Sequence, residues 1–126
     1  MGDRTVLAKD PQDAVYTADG AQHTLVGTMA DVAASQTDQE LVGASVGHEI
    51  VVFSVVLQTG ATATTFVFNT ASDQLSMTFQ NAGNGGAVLP HNPKGGFKTV
   101  ANEALTCTTG AGSTTGVQIN TARIPE

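Results

Sequence analysis

Charge is scarce in this sequence. Charged residues make up 13% of its 126 residues, roughly half the share that is usual for a globular domain. Hydrophobic residues account for 40%, which is enough for the core of one domain and argues against a disordered chain. The surface must then be polar mainly through hydroxyl and amide groups. We therefore expect a β-rich domain with faces that contact other proteins.

Basic residues are especially few. The chain has 5 Lys and Arg against 11 Asp and Glu, a formal net charge of −6 and a sequence pI near 4.7. Proteins that bind nucleic acid neutralise its phosphates with clustered Lys and Arg, and no such cluster occurs here. The composition thus argues against nucleic acid and against an anionic membrane surface as partners.

Cysteine is nearly absent, since Cys107 is the only one. A single cysteine excludes a disulfide within the chain and a zinc site built from several cysteines. We expect Cys107 to be a small buried apolar residue on a strand.

Long hydrophobic runs are also missing. The longest strongly apolar run is IVVFSVVL, residues 50–57, which is far shorter than the ~20 residues of a membrane-spanning helix. The N-terminal MGDRTVLAKDPQDAVY has no apolar stretch of signal-peptide length. We therefore expect a soluble protein that is made in a cytoplasm.

Recognisable catalytic and metal-binding motifs are absent. His23, His48 and His91 lie in separate segments, and no spacing typical of a metal or catalytic site links them to one another or to carboxylates. The Gly-rich segments NAGNGG and TGAGSTTG lack the lysine of a phosphate-binding loop, so we interpret them as hairpin loops. We expect no catalytic residue, no metal site and no cofactor.

Short β segments fill the chain from about residue 31 onward, and Gly, Asn, Asp and Ser separate them. Such spacing is typical of a β-sandwich or barrel. In DQLSMTFQ, alternation places Leu75, Met77 and Phe79 on one buried face. We expect two parts, an extended N-terminal arm (1–30) and a β-sandwich domain (31–126).

One predicted strand, EIVVFSVVL, is apolar on both faces. Strict alternation places four side chains on one face: Val51, Phe53, Val55 and Leu57. It places Ile50, Val52 and Val56 on the other. An antiparallel strand of this kind must be covered on both sides. The second cover is either another segment of the chain or a neighbouring subunit, and the small size of the domain favours the subunit.

The segment LPHNPKGGF has the composition of a corner between strands. Prolines exclude it from a central strand, Asn-Pro begins a turn, and glycine supplies a positive φ. The residues of this structural turn are Pro90, Asn92, Pro93, Gly95, Gly96 and Phe97.

The order of these elements resembles a family of small virion proteins of tailed phages. The resemblance covers roughly residues 31–124. It depends on Gly47 to Ile50, Gly85-Gly86, Pro90, Asn92-Pro93, Gly95, Phe97, Thr99, Glu103-Ala104-Leu105, and Gly112-Ser113 with Gly116. It implies a jelly-roll domain, similar to tumour necrosis factor, that forms trimers. Family members decorate or cement capsids, or form end domains of tail and fibre proteins.

These observations lead to one hypothesis and one alternative. The hypothesis is a homotrimeric capsid decoration (cement) protein that binds the major capsid protein on the outer surface of the virion and stabilises the shell without catalysis. The trimer contact is expected at Val51, Phe53, Val55 and Leu57, and the capsid contact in the arm, including Arg4, Lys9 and Tyr16. The alternative is a receptor- or glycan-binding domain at a phage tail or fibre tip. The chain has no Trp and one Tyr, which disfavours the aromatic platforms expected at a sugar site.

Overall fold

The computed structural model describes residues 14–16, 22–71 and 73–125, and all of their regular structure is β. The strands are β1 (Ala14–Tyr16), β2 (Gln22–Thr24), β3 (Val26–Val32), β4 (Gln39–Val42), β5 (His48–Thr59), β6 (Thr64–Thr70), β7 (Asp73–Gln74), β8 (Phe79–Asn81), β9 (Gly86–Leu89), β10 (Phe97–Lys98), β11 (Leu105–Thr109) and β12 (Thr115–Pro125). No helix long and apolar enough to cross a membrane occurs among these residues.

Two antiparallel sheets form the body of the molecule. Sheet I has the order β10-β5-β12-β3, and β9 also pairs with β5. Sheet II has the order β4-β11-β6-β7, and β8 also pairs with β6. Because β9 and β10 lie along different parts of β5, they act as one interrupted edge strand. The same holds for β7 and β8 along β6.

The pairing follows the winding of a jelly roll. β3 pairs with β12, β4 with β11, β5 with the β9–β10 strand, and β6 with the β7–β8 strand. The chain thus resembles a long hairpin that has been wrapped so that successive pairs fall in alternate sheets, which is the double-sheet arrangement of jelly rolls. The all-β sandwich expected from the sequence is confirmed.

The core lies between the two sheets. Phe66 and Phe68 pack edge to face with ring centroids 4.9 Å apart, and Phe97 packs on Phe68 at 5.2 Å. Cys107 is fully buried among them, as expected. Burial, with a smaller effect from Asp38, raises the pKa of its thiol to about 12. Cys107 is therefore an apolar packing residue at neutral pH.

The segment DQLSMTFQ differs from its predicted single strand. Only its ends are strands, β7 and β8, and Met77 between them is 68% exposed. The amides of Leu75 and Ser76 both donate to the carbonyl of Phe68, and the Ser76 hydroxyl accepts from the Phe68 amide. A serine side chain thus replaces a backbone partner and interrupts the ladder, so strict alternation does not extend through Met77.

The N-terminal region is described in part. β1 and β2 pair antiparallel, with Tyr16 opposite Gln22. β3 begins at Val26 and is an edge strand of sheet I. Residues 26–30 of the predicted arm therefore belong to the sandwich, while residues 1–13 and 17–21 lie outside the described residues.

Candidate functional site

The proline-glycine corner is a loop in the edge strand between β9 and β10. The Gly95 amide donates to the Asn92 carbonyl (2.8 Å), which closes a turn with Pro93 at its second position. The Lys94 amide donates to Asn92 Oδ1 (3.0 Å). Gly95 has φ 85°, and a Cβ there would lie 2.5 Å from Val51 Cγ1. Glycine is required at this position both for the backbone conformation and for the close approach to β5.

The corner fits a β-bulge in β5. Asn120 lies opposite Ser54 and Thr121 opposite Val52, so Phe53 has no opposite residue on β12. The carbonyl of Phe53 instead accepts from the Asn92 amide (2.8 Å), and the carbonyl of Val52 accepts from the Gly96 amide. A bulge leaves one residue unpaired and bends its strand. Because the corner supplies a hydrogen-bond partner to that residue, the corner and the bulge form one structural unit.

The four residues predicted for the trimer contact do not share one face. The bulge at Phe53 resets the alternation, so Val55 and Leu57 point into the core and are 1% and 2% exposed. Val51 and Phe53 point to the outer side of sheet I. Val55 and Leu57 are therefore unavailable to another copy. Val56, expected opposite them with Ile50 and Val52, is instead exposed on the outer side at 44%.

A second apolar cluster covers part of the outer side of sheet I. Phe53 is 4% and Ala122 1% exposed, and the cluster also contains Leu25, Val51 and Ile124. Leu25 follows β2, and β2 lies against β12. The His91 ring stacks on Phe53 with centroids 5.9 Å apart. The second cover of β5 is thus provided, at this half of the strand, by other segments of the same chain.

A shallow cleft of about 370 Å³ lies between the corner and the bulge. Apolar groups line most of it, including Phe53, Leu89 and Phe97, and its one titratable side chain is His91. The cleft provides a packing surface rather than an acid and base facing each other.

The outer side of sheet II is polar and hydrogen-bonded. Asn69 is 5% exposed, and its side-chain amide donates to Asp38 Oδ1 (3.1 Å) and Thr108 Oγ1 (2.9 Å). The Asp38 amide donates to the same Thr108 hydroxyl, and the Thr106 hydroxyl donates to the Ala71 carbonyl. Loops of the chain therefore satisfy and cover the polar groups of this face.

Titratable groups do not assemble into a metal site in the part of the chain that the structure describes. No group of three or more His, Cys, Asp or Glu side chains is placed there to hold a metal ion. His48 Nδ1 lies 3.2 Å from Ser45 Oγ and 2.9 Å from the Val46 carbonyl. These contacts tie His48, the first residue of β5, to the loop that precedes the strand.

Of the three residues predicted for the capsid contact, only Tyr16 lies in the described part of the chain. Arg4 and Lys9 lie outside the described residues, and Tyr16 is the last residue of β1. The described cations share one end of sheet I, where β5 begins. Lys94 is in the corner, Lys98 forms an ion pair with Glu49 (3.2 Å), and Arg123 donates to the Gly43 carbonyl (2.9 Å).

No protein-family model, curated protein or solved structure matches this chain.

Proposed function

We propose that this chain is a decoration protein of a tailed-phage capsid. It binds the outer surface of the shell as a homotrimer, bridges adjacent major capsid subunits and stabilises the shell against internal pressure. It performs no catalysis and requires no cofactor.

The strand order is the observation that carries this proposal. The pairs β3–β12, β4–β11 and β5–β9 wind the chain into a jelly roll, the fold implied by the resemblance to phage virion proteins. The corner carries the most specific part of the resemblance. It also stabilises the bulge at Phe53, because the Asn92 amide donates to the Phe53 carbonyl.

The distribution of charge supports a contact with the shell at one end of the sandwich. Lys94, Lys98 and Arg123 all lie near the start of β5. β2, which pairs with β1, lies against β12, and β1 follows residues 1–13. We place the shell contact at this end, with the N-terminal arm and the cations facing acidic groups of the major capsid protein.

Binding to shells tests the proposal. Purified protein is mixed with capsids that lack it, and binding and the capsid melting temperature are measured. We expect saturable binding and a higher melting temperature. Deleting residues 1–13, which removes Arg4 and Lys9, should weaken binding and leave the unfolding transition of the free protein unchanged. The matched control is a variant with residues 1–13 replaced by a Gly-Ser segment of equal length, which should bind as weakly as the deletion.

Two results would overturn the proposal. Absence of the protein from purified virions would exclude a structural role in the particle. Labelling confined to tail or fibre tips, with no binding to shells, would favour the receptor- or glycan-binding alternative.

A further inference from the structure

Four side chains form a row across the outer side of sheet I. Gln118 on β12 lies opposite Met29 on β3 and opposite Val56 on β5, and Val56 lies opposite Val88 on β9. Directly opposite residues of antiparallel strands point to the same side. The row therefore crosses the whole sheet at one position along the strands, and we call each such set of directly opposite residues a level. We call Met29, Gln118, Val56 and Val88 the apolar row.

The apolar members of the row are exposed. Met29 is 78%, Val56 44% and Val88 65% exposed. Single exposed apolar residues are ordinary, whereas neighbouring ones indicate an interaction surface. Val56 and Val88 are direct neighbours, and Gln118 lies between Val56 and Met29. A shallow groove of about 460 Å³ borders the row where Gly116 has no side chain, and Met29 and Val56 line it. The sheet therefore presents exposed apolar side chains beside a groove that Asp31, Gln58 and Gln118 also line.

Charge is nearly absent around the row. On one side, the neighbouring level consists of Gly27, Asn120 and Ser54. On the other side it consists of Asp31, Gly116, Gln58 and Gly86. Asp31, at the edge strand, is the one charged residue of these levels. Copies of a chain with a net charge of −6 repel one another, and repulsion is weakest where charge is absent. A basic partner protein would be attracted only weakly to this surface, because Asp31 is its one acidic residue.

The row also reaches an open edge. Among the described residues, β3 pairs with β12 on one side only. Its sequence, VGTMADV, contains neither Lys nor Pro, and Asp31 is its one charged residue. Proteins commonly protect an edge with charged side chains, especially Lys, and with Pro. Met29 lies in the middle of this strand. The surface is therefore accessible from the side as well as from above.

The size of the surface fits part of a contact between copies. Four strands about 4.8 Å apart, over seven residues that rise about 3.4 Å each, give a flat area of roughly 450 Å². A stable interface removes about 800 Å² per partner from solvent. The face thus supplies an apolar centre, and the flanking loops must supply the polar rim.

We propose that the apolar row is the surface through which copies of this chain associate. Met29, Val56 and Val88 form the apolar centre of the contact, in place of the buried Val55 and Leu57. This assignment rests on the self-association included in the proposed function, and it adds where on the subunit the contact lies.

The test introduces a lysine into the row. The variants Val88→Lys and Met29→Lys are compared with Val100→Lys, a matched control at a loop position that is 54% exposed and off the face. Sedimentation velocity over a concentration series measures the assembly. The wild type and Val100→Lys should form the same oligomer. Val88→Lys and Met29→Lys should raise the dissociation constant at least about tenfold, with unchanged thermal unfolding of the monomer.

The outcomes separate the two proposals. If the row variants associate as tightly as the wild type, the contact lies elsewhere and the assignment is wrong, while the decoration proposal stands. If the wild type is a monomer at all concentrations, the assignment fails together with the trimer part of the proposed function. Shell binding by that monomer would still support decoration. If Val100→Lys weakens assembly as much as the row variants, the effect is one of charge alone and the assignment is also wrong.

Discussion

The outer sides of the two sheets face solvent with different chemistry. On sheet II, Asn69, Thr106 and Thr108 bind one another or nearby loops, and Asn69 is buried by those contacts. On sheet I, one half is covered by the cluster around Phe53, and the other half presents Met29 and Val88.

The difference shows which face would gain free energy from contact with another protein. A polar face with satisfied hydrogen bonds gains little from a protein contact, because water and loops already serve its groups. An exposed apolar face gains free energy when it is covered. The outer side of sheet II is therefore satisfied within the single chain, whereas that of sheet I is covered only over the half that contacts the chain's own N-terminal segment and corner.

Truncating Phe53 should have the largest effect on stability. Phe53→Ala removes the ring that packs in the second cluster and stacks on His91. We expect the free energy of unfolding to fall by about 3 kcal/mol, measured by urea denaturation. Val88→Ala, on the uncovered half of the same face, should change it by less than about 0.5 kcal/mol. Equal effects of the two substitutions would mean that the two halves do not differ in cover.

A smaller loss is expected on sheet II. Asn69→Ala removes the amide that donates to Asp38 and Thr108, which leaves a partly buried carboxylate without this donor. The unfolding free energy should fall by roughly 1–3 kcal/mol. Gln80→Ala is the control, because Gln80 is exposed on the same sheet and its loss should be nearly neutral. A neutral Asn69→Ala would show that the polar network does not stabilise this face.

The core shared by both sheets should give a modest dependence on pH. Burial raises the pKa of the Cys107 thiol from its ordinary value of 9.0 to about 12 in the folded chain. Between these values the unfolded state binds fewer protons, so the unfolding free energy falls as pH rises. Denaturation between pH 8 and 10.5 should show a steeper decline for the wild type than for Cys107→Ala. Identical slopes would contradict burial of the thiol.

Local backbone structure can be predicted from the sequence where a residue type restricts the backbone conformation. Pro93 and Gly95 specify the turn, and the structure has the turn and the positive φ there. The apolar run of β5 likewise indicated a strand covered on both sides. Its faces could not be assigned, because the bulge depends on the pairing of Asn120 and Thr121 with β5 and on the corner bound to Phe53.

The apolar row was not predictable for a related reason. Met29, Val56 and Val88 are far apart in sequence, and only the jelly-roll register brings them to one level. Met29 also lies within residues 1–30, which the sequence predicts to be an N-terminal arm. Periodicity identifies which residues of one strand share a face, but it contains no information about which strands are neighbours.

Two methionines provide the most direct test of the claim that sheet I is the assembly face. Met29 lies in the apolar row and Met77 in a loop beside sheet II, and they are 78% and 68% exposed in the single chain. Oxidation of each methionine by peroxide is followed by mass spectrometry at concentrations above and below assembly. We expect similar rates in the dilute protein and a selectively slower rate for Met29 in the assembled protein. Equal rates for Met29 and Met77 at all concentrations would contradict the account.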